Sequence, residues 1–373
     1  MESRTLVIYT GGTFGMIDGE NGLTSAERLK VSEELSRVVP LKVIEKPSRD
    51  VMPMTKLRTR ETKINNDSLT LDLDVFEFER LIDSSKMNQR EWEEIAECIK
   101  DNYNEYTGFV VVMGTDTMAY ASSALSFMLE NLGKPVVFTG AQISIFDARS
   151  DGPGNLLCSL IVSTLDIPEV LLCFNKKAFR ASRVVKMDCV DFDAYDSPNM
   201  PAVVTLDYTG ISYNVLVEEK LVLKKPEGPL RVQKMLPKND VGLLVIFPGM
   251  TPQQVKNTVK DLRGVVLLTF GTGNVDNKVV DALIDEEGTE DTKRLFVNVT
   301  QCLKGSVTSA YAASKGLKEL GVVQGWNMTT EAAFTKLCYV RAKRDAFLNQ
   351  KKMMEENLRG EMDVIPNENI HNN

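Results

Sequence analysis

Four short polar clusters hold the side chains that could do chemistry in this 373-residue sequence. Thr10, Gly11, Gly12 and Thr13 follow the apolar run "LVIY"; Asp83, Ser84 and Ser85 stand in "IDSSKM"; Thr115, Asp116 and Thr117 follow "VVVMG"; and Lys186 lies in "RVVKMD". Each alone has a plain structural explanation, since Asp, Ser and Thr at strand ends cap the next helix and a single lysine is usually a solvated charge. The glycine pair alone could hold a phosphate, present a nucleophile or simply turn the chain. One count narrows the choice. The single histidine, His371, lies in the terminal stretch "ENIHNN", which removes Ser-His-Asp, Cys-His and multi-histidine metal arrangements from the fold. A threonine hydroxyl needs a neighbouring base, a lysine paired with a carboxylate can carry the proton, and turn N–H groups can stabilise an oxyanion. Threonine, lysine and aspartate together therefore point to acyl transfer at a carbonyl, the hydrolysis of an amide or ester.

The elements that must position these residues are legible in outline. "RTLVIYT", "GFVVVMGT", "PVVFTG" and "EVLLCF" read as short buried strands. Between them, "NQREWEEIAECIKDNY" places Trp92, Ile95, Ala96 and Ile99 at helical spacing behind an Asn88–Glu91 capping box. "AYASSALSFMLENLG" reads as a helix ending at Gly133. This alternation predicts an α/β fold: a larger N-terminal, doubly wound, mainly parallel sheet domain over residues 1–225, whose ligands bind beyond the carboxyl ends of its strands. A proline-rich linker over 226–240 and a smaller C-terminal α/β domain over 241–360 follow, with 361–373 as a tail and order fading after Arg359. The polar stretch from about Asp18 to Leu71 shows weak periodicity and is expected to be a mobile lid over the glycine turn.

Composition sets the class. Hydrophobic residues make up 43% and charged residues 26%, the balance of an ordinary globular protein. A formal net charge of −8 repels phosphate backbones and anionic lipid, so neither nucleic acid nor membrane is expected as a partner. No apolar run approaches the roughly 20 residues of a spanning helix, and strand-like sequence begins too early for a secretory leader, so a cytoplasmic location is expected. Six scattered cysteines without C-x-x-C spacing read as reduced thiols.

"YTGGTFGM", "GTDTMAY", "RSDGPGN" and "RVVKMD" resemble the motifs of the bacterial-type L-asparaginases, and "DSSKM", "TQCLKG" and "NLRGE" resemble the cytoplasmic, type I branch. The likeness runs in order from Thr5 to about Glu361. It implies that Thr13 attacks the side-chain amide of L-asparagine, that Thr115, Asp116 and Lys186 relay the proton, and that Asp83, Ser84 and Asp116 hold the α-carboxylate and α-amino groups. Backbone N–H groups around Gly12 and Thr115 would form the oxyanion hole. No cofactor, metal or nucleotide is implied, and relatives assemble as homodimers or homotetramers. Thr300 and Cys302 in "NVTQC" resemble a segment lining a regulatory asparagine site.

The sequence also departs from that pattern. Many members have histidine where this chain has Met113, and no tyrosine occurs between Tyr9 and Tyr103 to serve as the lid tyrosine; Leu23 stands about where it is expected. Tyr311 in "SAYAASKG" is the candidate to replace it. Three other readings stay open: a non-catalytic amino-acid sensor, a domain of a lysophospholipase-like asparaginase, and a tRNA-dependent amidotransferase subunit. The sensor is disfavoured because binding alone has no use for a lysine relay.

Overall fold

A computed structural model describes the chain except for residues 1–2, 20–21, 27–29, 39–40, 46–53, 60, 66, 210–211, 236–239, 290–292, 309–314 and 364–373. Its contacts divide it into two compact units, one of Met1–Ser197 with Pro201–Val232, the other of Pro198–Met200 with Gln233–Asn373.

The larger unit is built on a 12-stranded sheet whose centre is parallel, in the order Asp72–Glu77, Arg4–Tyr9, Gly108–Val112, Val136–Thr139, Val170–Phe174. Gly108–Val112, Val136–Thr139 and Val170–Phe174 are almost continuously apolar, as strands of a parallel sheet covered on both faces are. All three are buried at every position. The helix Gln89–Asp101 starts at Asn88 with the expected capping box and buries Trp92, Ile95, Ala96 and Ile99. Helix Met118–Met128 is buried at ten of its eleven positions, so its sequence lacks a polar stripe. It also stops earlier than its sequence suggests. Leu129–Glu130 leave it to pair antiparallel with Arg231–Val232, which overrides the helical continuation to Gly133.

Within the stretch from Asp18 to Leu71, the described residues carry regular structure that the weak periodicity of the sequence does not announce. Met16–Gly19 and Gly22–Ser25 form a hairpin, Met54–Thr59 extends the large sheet antiparallel to Asp72–Glu77, and Leu41–Glu45 pairs antiparallel with Met54–Thr59 at its edge. In Met54–Thr59 the side chains of Thr55, Leu57 and Thr59 are buried while Lys56 and Arg58 are exposed, a period-two pattern hidden by its polar composition.

The smaller unit holds a four-stranded parallel sheet, Val241–Val245, Gly264–Thr269, Leu295–Thr300 and Val323–Gln324. Helix Pro252–Val259 opens with a capping box from Thr251 and Gln254. Val255, Val259, Val265, Leu267, Val279, Leu283 and Phe296 form its core. Of the stretch expected to lose order after Arg359, residues 360–363 are described and the rest lies outside the described residues. Glu361 and Met362 are fully buried, and Glu361 pairs with the equally buried Lys336 on helix Thr330–Ala342 at 2.7 Å.

Candidate active site

The carboxyl ends of the five central strands lie side by side in the larger unit, and three of the four sequence clusters begin within six residues of them. The Thr10–Thr13 turn is fixed from both neighbours: Thr10 N donates to Val112 O (3.0 Å) and Ile82 N donates to Thr10 O (2.8 Å). Gly11 and Gly12 take φ of 121° and 85°, a region that L side chains rarely adopt. A Cβ on Gly11 would sit 2.5 Å from Ile82 N, and one on Gly12 would overlap the Cα and N of Gly114. The glycines thus let this turn lie directly on the turn that carries Thr115. Thr13 then opens a short 3-10 turn, Thr13–Gly15, and is half-buried.

Asp83 caps the next short turn, its carboxylate accepting from Ser85 N at 2.9 Å. Ser84, 3% exposed, meets the Thr115 turn twice: its Oγ accepts from Asp116 N (3.3 Å) and its carbonyl accepts from Thr117 Oγ1 (2.8 Å). Neither Ser84 nor Asp116 is a simple helix cap.

Lys186 reaches this turn from the short hairpin Val185–Lys186 and Tyr195–Asp196. Its Nζ donates to Thr115 Oγ1 and to Asp116 Oδ1, each at 2.9 Å. The lysine is thus a bridge and not the solvated charge that its type alone suggests. The Thr115 hydroxyl, receiving from the ammonium, sends its own proton toward Gln142 Oε1 at 3.3 Å.

Two residues of the site have no counterpart in the sequence reading. Gln142 is held by its own backbone N, which donates to Asp151, and by its Nε2, which donates to Asp191 O at 3.1 Å. Asn155 completes that brace, bonding both Asp151 and Gly140 O, so the "RSDGPGN" motif shapes the loop carrying Gln142. The signal for Gln142 was its place two residues past the strand "PVVFTG". Tyr195 lies opposite Lys186 in the hairpin, and its hydroxyl donates to the Thr115 carbonyl. Burial raises its phenol well above the usual range, and the charge of Asp116 raises it further.

The remaining sequence candidates lie elsewhere. Thr300 and Cys302 stand at the carboxyl end of Leu295–Thr300 in the smaller unit, where Thr300 Oγ1 accepts from Cys302 N (3.0 Å) and Cys302 is exposed. Tyr311 falls outside the described residues. All six cysteines are free, and burial pushes the Cys98 thiol up to about 12 and the Cys158 thiol up to about 11, so neither offers a thiolate near neutral pH. Among the described residues, no group of three or more His, Cys, Asp or Glu is placed to hold a metal, and no helix is long and apolar enough to cross a membrane.

Sequence models of two families match the chain: "Asparaginase, N-terminal" over residues 4–218 and "Glutaminase/Asparaginase C-terminal domain" over residues 240–354. The chain is 38% identical over 375 residues to an L-asparaginase of Dirofilaria immitis, an alignment covering 97% of this chain and 61% of that protein. It therefore spans about three fifths of that relative's length. It is also 38% identical over 367 residues to L-asparaginase 1 of Escherichia coli strain K12, covering 97% of this chain and 99% of that one. The crystal structure of L-asparaginase I from Vibrio cholerae superposes with a TM-score of 0.79 at 34% identity, covering 98% of this chain and all of that one.

Proposed function

The chain belongs to the asparaginase family, and from that premise we propose that it hydrolyses the side-chain amide of L-asparagine to L-aspartate and ammonia, using neither metal nor nucleotide. The observation that carries this reading is the bridge of Lys186 to Thr115 and Asp116 on a turn packed against the Thr10–Thr13 turn. In this mechanism Thr13 Oγ bonds to the side-chain carbonyl carbon while its proton passes to Thr115 Oγ1 and the Thr115 proton passes to Lys186 Nζ, which takes it as the neutral amine. Backbone N–H groups of Gly12 and Thr115 face the developing oxyanion. The C–N bond then breaks, the amide nitrogen takes up the proton and leaves as ammonia, and Thr13 carries an aspartyl ester. Water adds to that ester, gives its proton to the same relay, and L-aspartate departs as Thr13 Oγ regains a proton.

Asp116 and Asp83 supply the carboxylates that a zwitterionic substrate needs for its α-ammonium, and Ser84 supplies a hydroxyl beside them. Gln142 Oε1 accepts from the resting Thr115 hydroxyl and holds it in place beside Lys186. We place Thr300 and Cys302 at a regulatory asparagine position, which a sigmoidal saturation curve would support and a strictly hyperbolic one would remove. Tyr311 is assigned the lid tyrosine's role, and the assembly is taken to be a homodimer or homotetramer, as in relatives.

Hydroxylamine tests the covalent step. If an acyl-enzyme forms, added hydroxylamine diverts part of the product to the aspartyl hydroxamate in competition with water. Product that stays wholly aspartate at every hydroxylamine concentration would instead indicate direct attack by water.

A further inference from the structure

The peptide joining Thr115 to Asp116 sets the direction of both side chains that Lys186 contacts, and it is held at its two ends by different elements. Its N–H, on Asp116, donates to Ser84 Oγ at 3.3 Å. Its carbonyl, on Thr115, accepts from the Tyr195 hydroxyl and, at 3.4 Å, from Met118 N at the start of the following helix. The second of these is at the outer limit of a backbone hydrogen bond, so the phenol is the stronger hold.

Tyr195 is built to keep that position. It is 2% exposed, and its ring packs against Phe174 with centroids 5.1 Å apart at 59°, which fixes the ring torsion. It is also the register partner of Lys186, so one two-residue pairing delivers both contacts: the ammonium to the Thr115 hydroxyl and the phenol to the Thr115 carbonyl. A buried phenol this far from deprotonation is a permanent donor and takes no proton itself.

We propose that Tyr195 is a positioning residue for the reaction, its hydroxyl locking the Thr115–Asp116 peptide so that Thr115 Oγ1 and Asp116 Oδ1 converge on Lys186 Nζ. The inference rests on the reading in which Thr115 and Lys186 carry the proton. Replacing the hydroxyl by hydrogen in Tyr195→Phe keeps the ring and its contact with Phe174, but leaves the Thr115 carbonyl with only the long bond from Met118. The peptide then rocks about its flanking torsions, and the relay spends less time aligned. A misalignment of this kind acts on the chemical step more than on substrate capture.

The test compares Tyr195→Phe, Phe174→Leu and Thr115→Ala with the wild-type chain, reading kcat and KM for ammonia release from L-asparagine, melting temperature, and amide exchange of the peptide containing residues 114–118. The expected result for Tyr195→Phe is a fall in kcat of about tenfold or more with a smaller rise in KM, since Asp116 on the same peptide also holds the substrate. Amide exchange is faster over residues 114–118, and the melting temperature moves little. Phe174→Leu, which loosens the ring but keeps the hydroxyl, lowers the melting temperature and keeps most of kcat. The proposal is overturned if Tyr195→Phe retains kcat within about twofold while Thr115→Ala is inactive, or if Phe174→Leu loses kcat as fully as Tyr195→Phe, which would trace the effect to packing. Full activity in Thr115→Ala would instead remove the relay reading itself, a separate outcome.

Discussion

Replacing Lys186 by methionine separates two accounts of the same ion pair by their magnitudes. The side chain of Asp116 is 65% exposed and that of Lys186 is 17% exposed. As a structural feature, a pair so open to water contributes at most about 1 kcal/mol. Losing it would lower the melting temperature by about 2–4 °C in a unit of this size. A purely structural pair would leave the rate per folded molecule nearly unchanged. As a proton relay, the same ammonium touches Thr115 Oγ1 and Asp116 Oδ1 at 2.9 Å. General acid–base catalysis of this kind is worth about 10²–10⁴ in rate, or about 3–5.5 kcal/mol at the transition state. The kinetic effect therefore exceeds the stability effect several-fold. Ammonia release and calorimetric melting, measured on the same preparation of Lys186→Met, are expected to show kcat down by at least about 10² with a melting temperature within a few degrees of wild type. A loss of less than about tenfold, or a melting shift large enough to account for the missing activity, would refute the reasoning.

Further expectations follow from the close approach of the turns and from the buried pair. Gly12→Ala places a Cβ on the Gly114 backbone at φ of 85°, and is expected to cost at least about 2 kcal/mol of stability and to lower kcat more than Lys186→Met does, readable by melting and ammonia release. Lys336 donates to Met354 O, Glu356 O and Glu361, and both ion-pair partners are fully buried. Lys336→Met strands a buried carboxylate and is expected to destabilise by about 3–5 kcal/mol in denaturant unfolding, whereas Lys336→Met combined with Glu361→Leu recovers much of that loss. The Lys336 ammonium, joined by the amides of Leu358 and Arg359, holds the Glu361 carboxyl below its usual range against the opposing effect of burial. Because its folded value lies below the unfolded one, the stabilisation is present above about pH 4.5 and is lost as pH falls through the folded value. A melting-versus-pH profile is expected to fall more steeply on the acid side in wild type than in Glu361→Gln.

What could be read from the sequence was local. The apolar runs located the central strands because each is buried on both faces, and the glycines of "TGGT" and "GTDT" marked the strand ends where polar groups gather. Lys186, Thr115 and Asp116 could be named because their residue types suit one chemistry when the single histidine of the sequence stands only at position 371. Gln142 and Tyr195 were missed because their contacts are non-local: Tyr195 faces Lys186 only through a hairpin with two residues in each strand, too short to leave an alternating pattern. The strand Met54–Thr59 was missed because its exposed positions are charged and its buried ones include two threonines. The order at Glu361 was missed for a similar reason, since nothing near it in the sequence announces that its partner is a lysine buried in helix Thr330–Ala342.

The central claim is that this chain cleaves L-asparagine with Thr13 as nucleophile, and the most direct measurement is ammonia release from L-asparagine by the wild-type chain beside Thr13→Ala and Thr13→Ser. The account predicts turnover in wild type, a loss of about 10³ or more in Thr13→Ala at unchanged melting temperature, and partial recovery in Thr13→Ser, which restores a hydroxyl. Wild-type protein that is stabilised by L-asparagine but releases no ammonia, or a Thr13→Ala variant as active as wild type, would contradict it.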